Sequence, residues 1–172
     1  RFVGRSTVWG ANGAAATAHP AATLIGLDTL RRGGSAIDAA IAINAALGFL
    51  EPTANGIGGD AFCLMWDPAQ KKVVGFNGSG ASPRGLSLAT ARSKAGPDGY
   101  LPHYGAVTVN VPGTVDAWWS AHQRYGKLPW KDVLLPVAEL CEEGVPMPQL
   151  IAWYLQRNMA GFDRRAGIIE EN

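Results

Sequence analysis

Glu51-Pro52-Thr53-Ala54-Asn55-Gly56-Ile57-Gly58-Gly59-Asp60-Ala61-Phe62 joins an apolar helical pattern to an apolar strand pattern. Three glycines within four residues call for unusual dihedrals or for close approach by another backbone. Asn55-Gly56 adds a turn signal. The stretch therefore reads as a helix ending at Glu51-Pro52, a constrained turn, and a strand leaving from it. A turn of this kind is expected at the centre of the molecule.

Upstream lie two helices. Pro20 suits a first helical turn, and helix one runs from about Pro20 to Arg32. Leu24, Ile25, Leu27 and Leu30 form its apolar face, with Asp28, Arg31 and Arg32 opposite. Gly33-Gly34 ends it. His19, at the helix start, has no carboxylate or nucleophile beside it in sequence, which favours a structural N-terminal role over that of a catalytic base. Ser35 and Asp38 have the spacing of a capping box. Helix two, about Ala36 to Leu50, is apolar nearly all round, as a buried helix is. The two helices are expected to form one layer packed on a sheet.

Downstream, Ala61 to Trp66 reads as a strand buried on both faces, and Lys72 to Asn77 as its hairpin partner, with Lys71-Lys72 at the solvent end. Asn77-Gly78-Ser79-Gly80-Ala81-Ser82-Pro83 is a loop. Its amides would suit an anion, or it is a connector. Ser87 caps a short helix to Ala95, Gly96 to Gly99 is a turn, and Ala106 to Val111 reads as a third strand. Thr114 caps a helix to Tyr125 with Trp118, Trp119 and Ala121 inward or at an interface. Trp130 to Glu143 is amphipathic and closes at Gly144, and Pro148 opens a last helix to about Asn158. The tail from Phe162 is charged and reads as loose. The six tryptophans read as core.

Composition narrows the function classes. At 172 residues, the chain is one domain or part of one, large enough for a core. A net charge of +1 offers no electrostatic case for nucleic acid or an anionic membrane. Charged residues are 17% of the chain, below the roughly 25% usual in globular domains. Either much of the surface is buried against another chain, or this is a Gly-rich, small-residue monomer. Cys63 and Cys141 are too few for a disulfide scaffold and read as packed core thiols. No run approaches the roughly 20 apolar residues that span a bilayer. No signal peptide is recognisable, and a start at arginine rather than methionine suggests trimming. The compartment stays open between periplasmic or secreted and cytoplasmic in a bacterium.

Known chemical motifs are few. The glycine turn lacks the third glycine of a dinucleotide fingerprint and follows a helix rather than a strand. His19, His103 and His122 are scattered, so no metal-ligand spacing appears, and no cofactor is implied. There is no Gly-x-Ser-x-Gly elbow.

A set of motifs, in order, goes further. His19-Pro20, Leu30-Arg31-Arg32-Gly33-Gly34, Ser35-Ala36-Ile37-Asp38-Ala39-Ala40, and Glu51-Pro52 followed by Gly56-Ile57-Gly58-Gly59 resemble the gamma-glutamyltransferase family. So do Val111-Pro112-Gly113-Thr114-Val115, Tyr125-Gly126-Lys127-Leu128-Pro129 and Ala138 to Gly144. The family includes gamma-glutamyltranspeptidases and acylases that cleave glutaryl side chains from cephalosporins. The resemblance implies an α/β fold, the N-terminal nucleophile hydrolase αββα sandwich. Residues 1–172 would be the N-terminal portion of the large subunit of one domain shared with a second chain.

It also implies self-cleavage of a zymogen into a heterodimer, a small subunit whose N-terminal threonine is the nucleophile with its own α-amino group as base, and oxyanion donors on that small subunit. No catalytic residue is then expected in this chain, whose threonines are internal. Transpeptidases carry an arginine that holds the substrate α-carboxylate, a few residues before an Ala-Pro. The matching positions here are Ser79 or, in some relatives' pattern, Ala81, with Arg84 just beyond the proline. These three are the candidate substrate-binding positions. Asp60 stands where transpeptidases tend to have glycine. The implied activity is amide cleavage or acyl transfer from gamma-glutamyl or related amides, as in glutathione metabolism. The alternatives are a non-catalytic relative that serves as a binding or assembly module, or a glutaryl-type (cephalosporin) acylase.

Overall fold

The computed structural model describes residues 6–163. It divides into two compact units. One comprises the described residues up to Pro52 together with Ala121–Val145. The other comprises Thr53–Ser120 and the described residues from Pro146.

The first unit is helical. Helix α1 (Pro20–Arg31) is capped by His19, whose Nδ1 accepts the Ala21 amide at 3.2 Å. This is the structural role expected for that histidine. Helix α2 spans Ala36–Leu50, and both halves of its capping box are made: Asp38 N–H donates to Ser35 Oγ at 3.1 Å, and Ser35 N–H to Asp38 Oδ2 at 2.8 Å. Helix α5 (Trp130–Glu143) ends at Gly144, whose φ of 75° stops it.

Ala22, Ala46, Leu50 and Val137 form the core shared by these three helices. The buried side of α1 is therefore Ala22, Gly26 and Thr29, and Leu24 is exposed. This corrects the expected leucine face. The cause is proximity: α2 lies so close that a Cβ at Gly26 would overlap the Ile43 side chain, and only small residues fit. Within this unit, α1 packs against α2, and α2 against α5.

The second unit holds a two-stranded antiparallel hairpin, β1 (Ala61–Asp67) with β2 (Lys72–Gly78), in the register Phe62 opposite Asn77, Leu64 opposite Gly75 and Trp66 opposite Val73. Asp67 Oδ1 accepts the Ala69 and Gln70 amides and so builds the turn. Lys71 and Lys72 lie at its exposed end, as expected. The expectation of a strand buried on both faces fails. Ala61, Cys63 and Met65 are half-buried, whereas Phe62, Leu64 and Trp66 are 70%, 81% and 59% exposed.

Short α3 (Leu88–Lys94) is capped by Ser87, and Gly96 to Gly99 closes a turn. Helices α4 (Thr114–Tyr125) and α6 (Gln149–Asp163) complete the elements. Helix α6 runs past the expected end at Asn158, and most of the charged tail lies outside the described residues.

Other expectations need correcting. Ser6-Thr7-Val8-Trp9 is strand-like in sequence but forms no strand, and Val8 and Trp9 are exposed. The third strand is replaced by a 3-10 turn at Ala106–Thr108, because Gly105 at φ 108° reverses the chain and Thr108 folds back on the Gly105 carbonyl. Trp118 is buried, but Trp9, Trp66, Trp119 and Trp153 are exposed. Cys141 is exposed rather than packed, whereas burial pushes the half-buried Cys63 thiol above its ordinary pKa.

Candidate functional site

In the second unit the glycine turn, the loop after β2 and the segment before α4 come together. Gly59 O accepts the amides of both Gly113 and Thr114 at 3.0 Å. Asp60 Oδ1 accepts Gly80 N–H at 3.2 Å. Val111 N–H donates to Ala81 O at 3.0 Å, and Ser79 N–H to Asn77 Oδ1 at 3.0 Å. A Cβ at Gly80 would overlap the Val111 carbonyl, and one at Gly113 the Gly78 carbonyl. These two glycines are required because backbone lies against backbone.

Gly56, Gly58 and Gly59 are different. They are exposed, none has a left-handed φ, and among the described residues nothing beyond their chain neighbours stands within 4 Å of where their Cβ would be. The glycine turn is thus a surface feature of this unit, not the centre expected from sequence. Thr114 also departs from expectation. Its hydroxyl is fully buried without a hydrogen-bond partner, and the first turn of α4 is tied through backbone instead, with Ala117 N–H donating to Gly113 O.

These contacts enclose a cleft of about 350 Å³ whose walls include Ser79, Ala81, Gly113, Asp116 and Ser120. Two of the candidate binding positions, Ser79 and Ala81, therefore share one cleft. Arg84 is exposed and is not on its wall. Among the described residues no lysine or arginine lines the cleft, and Asp116 is the charged side chain that does. Sequence reasoning missed Asp116 and Ser120. Their only signal was a spacing of four on a helix, which places two side chains on one face. No group of three metal-ligating side chains occurs among the described residues, and none of their helices is long and apolar enough to cross a membrane.

A second convergence lies in the helical unit. Asp38 is fully buried, and its Oδ2 accepts three amides: Ser35 at 2.8 Å, Lys127 at 2.9 Å and Leu128 at 3.1 Å. His122, itself buried, places Nε2 2.8 Å from Leu128 O and 3.7 Å from Asp38 Oδ1, with Trp130 edge-on at 5.0 Å. A buried carboxylate is tolerated when its oxygens are hydrogen-bonded. Here the carboxylate pins the loop between α4 and α5 to the start of α2. The capping box hinted at half of this arrangement. The tie across about ninety residues had no local signal.

The gamma-glutamyltranspeptidase family model matches residues 22–170. The chain belongs to the gamma-glutamyltranspeptidase family. The glutathione hydrolase proenzyme of Bacillus subtilis is 34% identical over 154 residues, a match covering 83% of this chain and 25% of that protein. Gamma-glutamyltranspeptidase from Pseudomonas nitroreducens, solved with L-DON, superposes with a TM-score of 0.78 at 28% identity, over 89% of this chain and 45% of that one. Cephalosporin acylase from Bacillus halodurans is 44% identical, with a TM-score of 0.72, over 84% of this chain and 26% of that one.

The chain thus spans about a quarter of the length of the curated relative. Its fold class is the N-terminal nucleophile hydrolase αββα sandwich. The motifs of the family sort by unit. Ser35 to Ala40 and Tyr125 to Pro129 meet at Asp38, whereas Gly58 to Asp60 and Val111 to Val115 meet the loop after β2 at the cleft.

Proposed function

We propose that this chain is the N-terminal portion of the large subunit of an acyl-transferring amidohydrolase that acts on gamma-glutamyl or related acyl amides. Residues 1–172 contribute to a single sandwich shared with a small subunit from the same precursor. The N-terminal threonine of that small subunit attacks the amide carbonyl. The C–N bond breaks, the departing amine takes the proton relayed by the threonine's α-amino group, and an acyl-enzyme ester remains. Water or a second amine then takes the acyl group and restores the threonine hydroxyl. The loop with Ser79 and Ala81 lines the acyl pocket, and Arg84 lies at its approach.

The observation that carries this reading is the bare sheet face. Phe62, Leu64, Trp66 and Val73 share one side of the hairpin and are 59–81% exposed. A lone two-stranded hairpin is marginal in water, and each such side chain gains about 1.5–3 kcal/mol when fully buried. A second sheet laid on that face would satisfy both conditions, as the sandwich fold requires.

The test uses the full-length protein. Intact-mass measurement and N-terminal sequencing should find a companion polypeptide that begins with threonine. Gamma-glutamyl-p-nitroanilide or a glutaryl anilide should be turned over. A single uncut polypeptide without turnover would overturn the proposal. A second reading, a non-catalytic binding or assembly relative, is favoured by one observation: neither Ser79 nor Ala81 is arginine, and among the described residues no guanidinium lines the cleft. Turnover of any acyl amide removes that reading.

A further inference from the structure

On the proposal that the loop after β2 lines the acyl pocket, we infer that Asp60 is a positioning residue. Its carboxylate fixes the loop that carries Ser79 and Ala81, and so sets how tightly the acyl group is held, without touching that group itself.

The loop has little with which to hold itself in place. Ser79, Ala81 and Ser82 are exposed, so none of them is anchored by a buried side chain, and Gly78 and Gly80 leave the backbone conformationally free. Ser79 N–H donates to Asn77 Oδ1, but that bond closes over two residues and moves with the loop. Placement therefore depends on ties to other segments. Val111 supplies one, its N–H donating to Ala81 O at 3.0 Å. Asp60 supplies another, its Oδ1 accepting Gly80 N–H at 3.2 Å across 20 residues of chain. Gly80 is pressed against the Val111 carbonyl while Asp60 holds its amide.

The place of Asp60 in the chain gives this bond its reach. Ala61 opposite Gly78 is the last pair of the hairpin. Asp60 comes just before that pair and Gly80 just after it, so the carboxylate continues the cross-strand tie where the backbone ladder stops. The neighbouring Gly59 O accepts the amides of Gly113 and Thr114 at 3.0 Å. One dipeptide thus grips both walls of the cleft: the loop through the Asp60 side chain, and the start of α4 through the Gly59 carbonyl. Asp60 itself does not line the cleft, so its effect on an acyl group passes through the loop.

Steady-state kinetics of the full-length, processed protein with gamma-glutamyl- and glutaryl-p-nitroanilide test this. Asp60→Ala removes the acceptor and should raise KM about tenfold for a donor that is turned over, the scale of one hydrogen bond to a charged group discounted for exposure. Asp60→Asn keeps an oxygen acceptor in the same place without the charge, and its KM should rise only about two- to fivefold. Binding lost from ground state and transition state alike appears in KM with kcat unchanged, whereas a merely structural defect removes active enzyme and lowers kcat at unchanged KM. A fall in kcat alone, a KM unmoved in both variants, or an asparagine variant as impaired in KM as the alanine one would each overturn the inference and leave the acyl-transfer reading intact. If Asp60→Ala does not mature, Asp60→Asn decides: a KM raised about twofold or more supports the positioning role, and an unmoved KM overturns it. If the unaltered protein turns over neither donor, the acyl-transfer reading falls and the positioning role with it.

Discussion

The helical unit and the hairpin unit handle burial in opposite ways. In the helical unit the Asp38 carboxylate, which three amides hold, and His122 are buried, as is the aliphatic core of α1, α2 and α5. Around the hairpin, a row of large apolar side chains faces outward and three glycines of the turn stand in open space. The first arrangement gathers three amides on Asp38 Oδ2, while Oδ1 is buried without a hydrogen-bond partner. A cover over the second would bury that row, as the proposed small subunit does. The difference teaches that one chain can close a core around a buried carboxylate in one unit and leave one face of a hairpin bare in the next.

The contrast can be broken most decisively at Asp38. Asp38→Ala would leave the Ser35, Lys127 and Leu128 amides buried without an acceptor. The expected loss is about 3–5 kcal/mol, the scale for removing one partner from a buried charged network. Urea unfolding of the full-length protein measures it, and a loss under about 1 kcal/mol would mean that this knot is not closed to water.

At the hairpin the same kind of insult should read differently. Leu64→Ser removes about 1.5–3 kcal/mol of burial, but only where a companion polypeptide covers it. The expected result is weaker retention of the small subunit after processing, followed by size-exclusion chromatography and mass spectrometry. If the two polypeptides remain together unchanged through a denaturant series, that face is not the one covered.

The smallest effect sharpens the comparison from the local side. Ser35→Ala removes one half of the capping box and should cost about 1 kcal/mol. It should cost less than Asp38→Ala because Asp38 would keep the Lys127 and Leu128 amides. Equal losses would show that Asp38 acts only as a cap.

Much of the fold was legible in sequence because helix ends are chemically local. Pro20, Ser35, Ser87, Gly126 and Gly144 each mark a boundary through a group within about four residues, and α1, α2, α3 and α5 begin and end within about a residue of where those signals put them. The third strand was misread because an apolar run specifies a strand only if a neighbouring strand accepts its amides. Val111 finds a single such bond, to Ala81, and Gly105 turns the chain. The leucine face of α1 was misread because apolar periodicity shows which side chains are oily, not how near the next helix stands. The candidate site was half legible. Motif matching pointed to Ser79 and Ala81, which share a cleft, while Asp116 and Ser120 looked like ordinary helix surface.

By itself, the sequence determined where the helices and the hairpin lie and which family its ordered motifs resemble, since caps, turns and apolar spacing act over a few residues. Only the tertiary structure decided that Asp38 holds a loop about ninety residues away, that Asp60 engages the loop amide of Gly80, and which face of the hairpin is bare. Those outcomes depend on backbone groups of distant segments meeting one another. A backbone amide is the same at nearly every residue, so the letters of the sequence do not announce its partner.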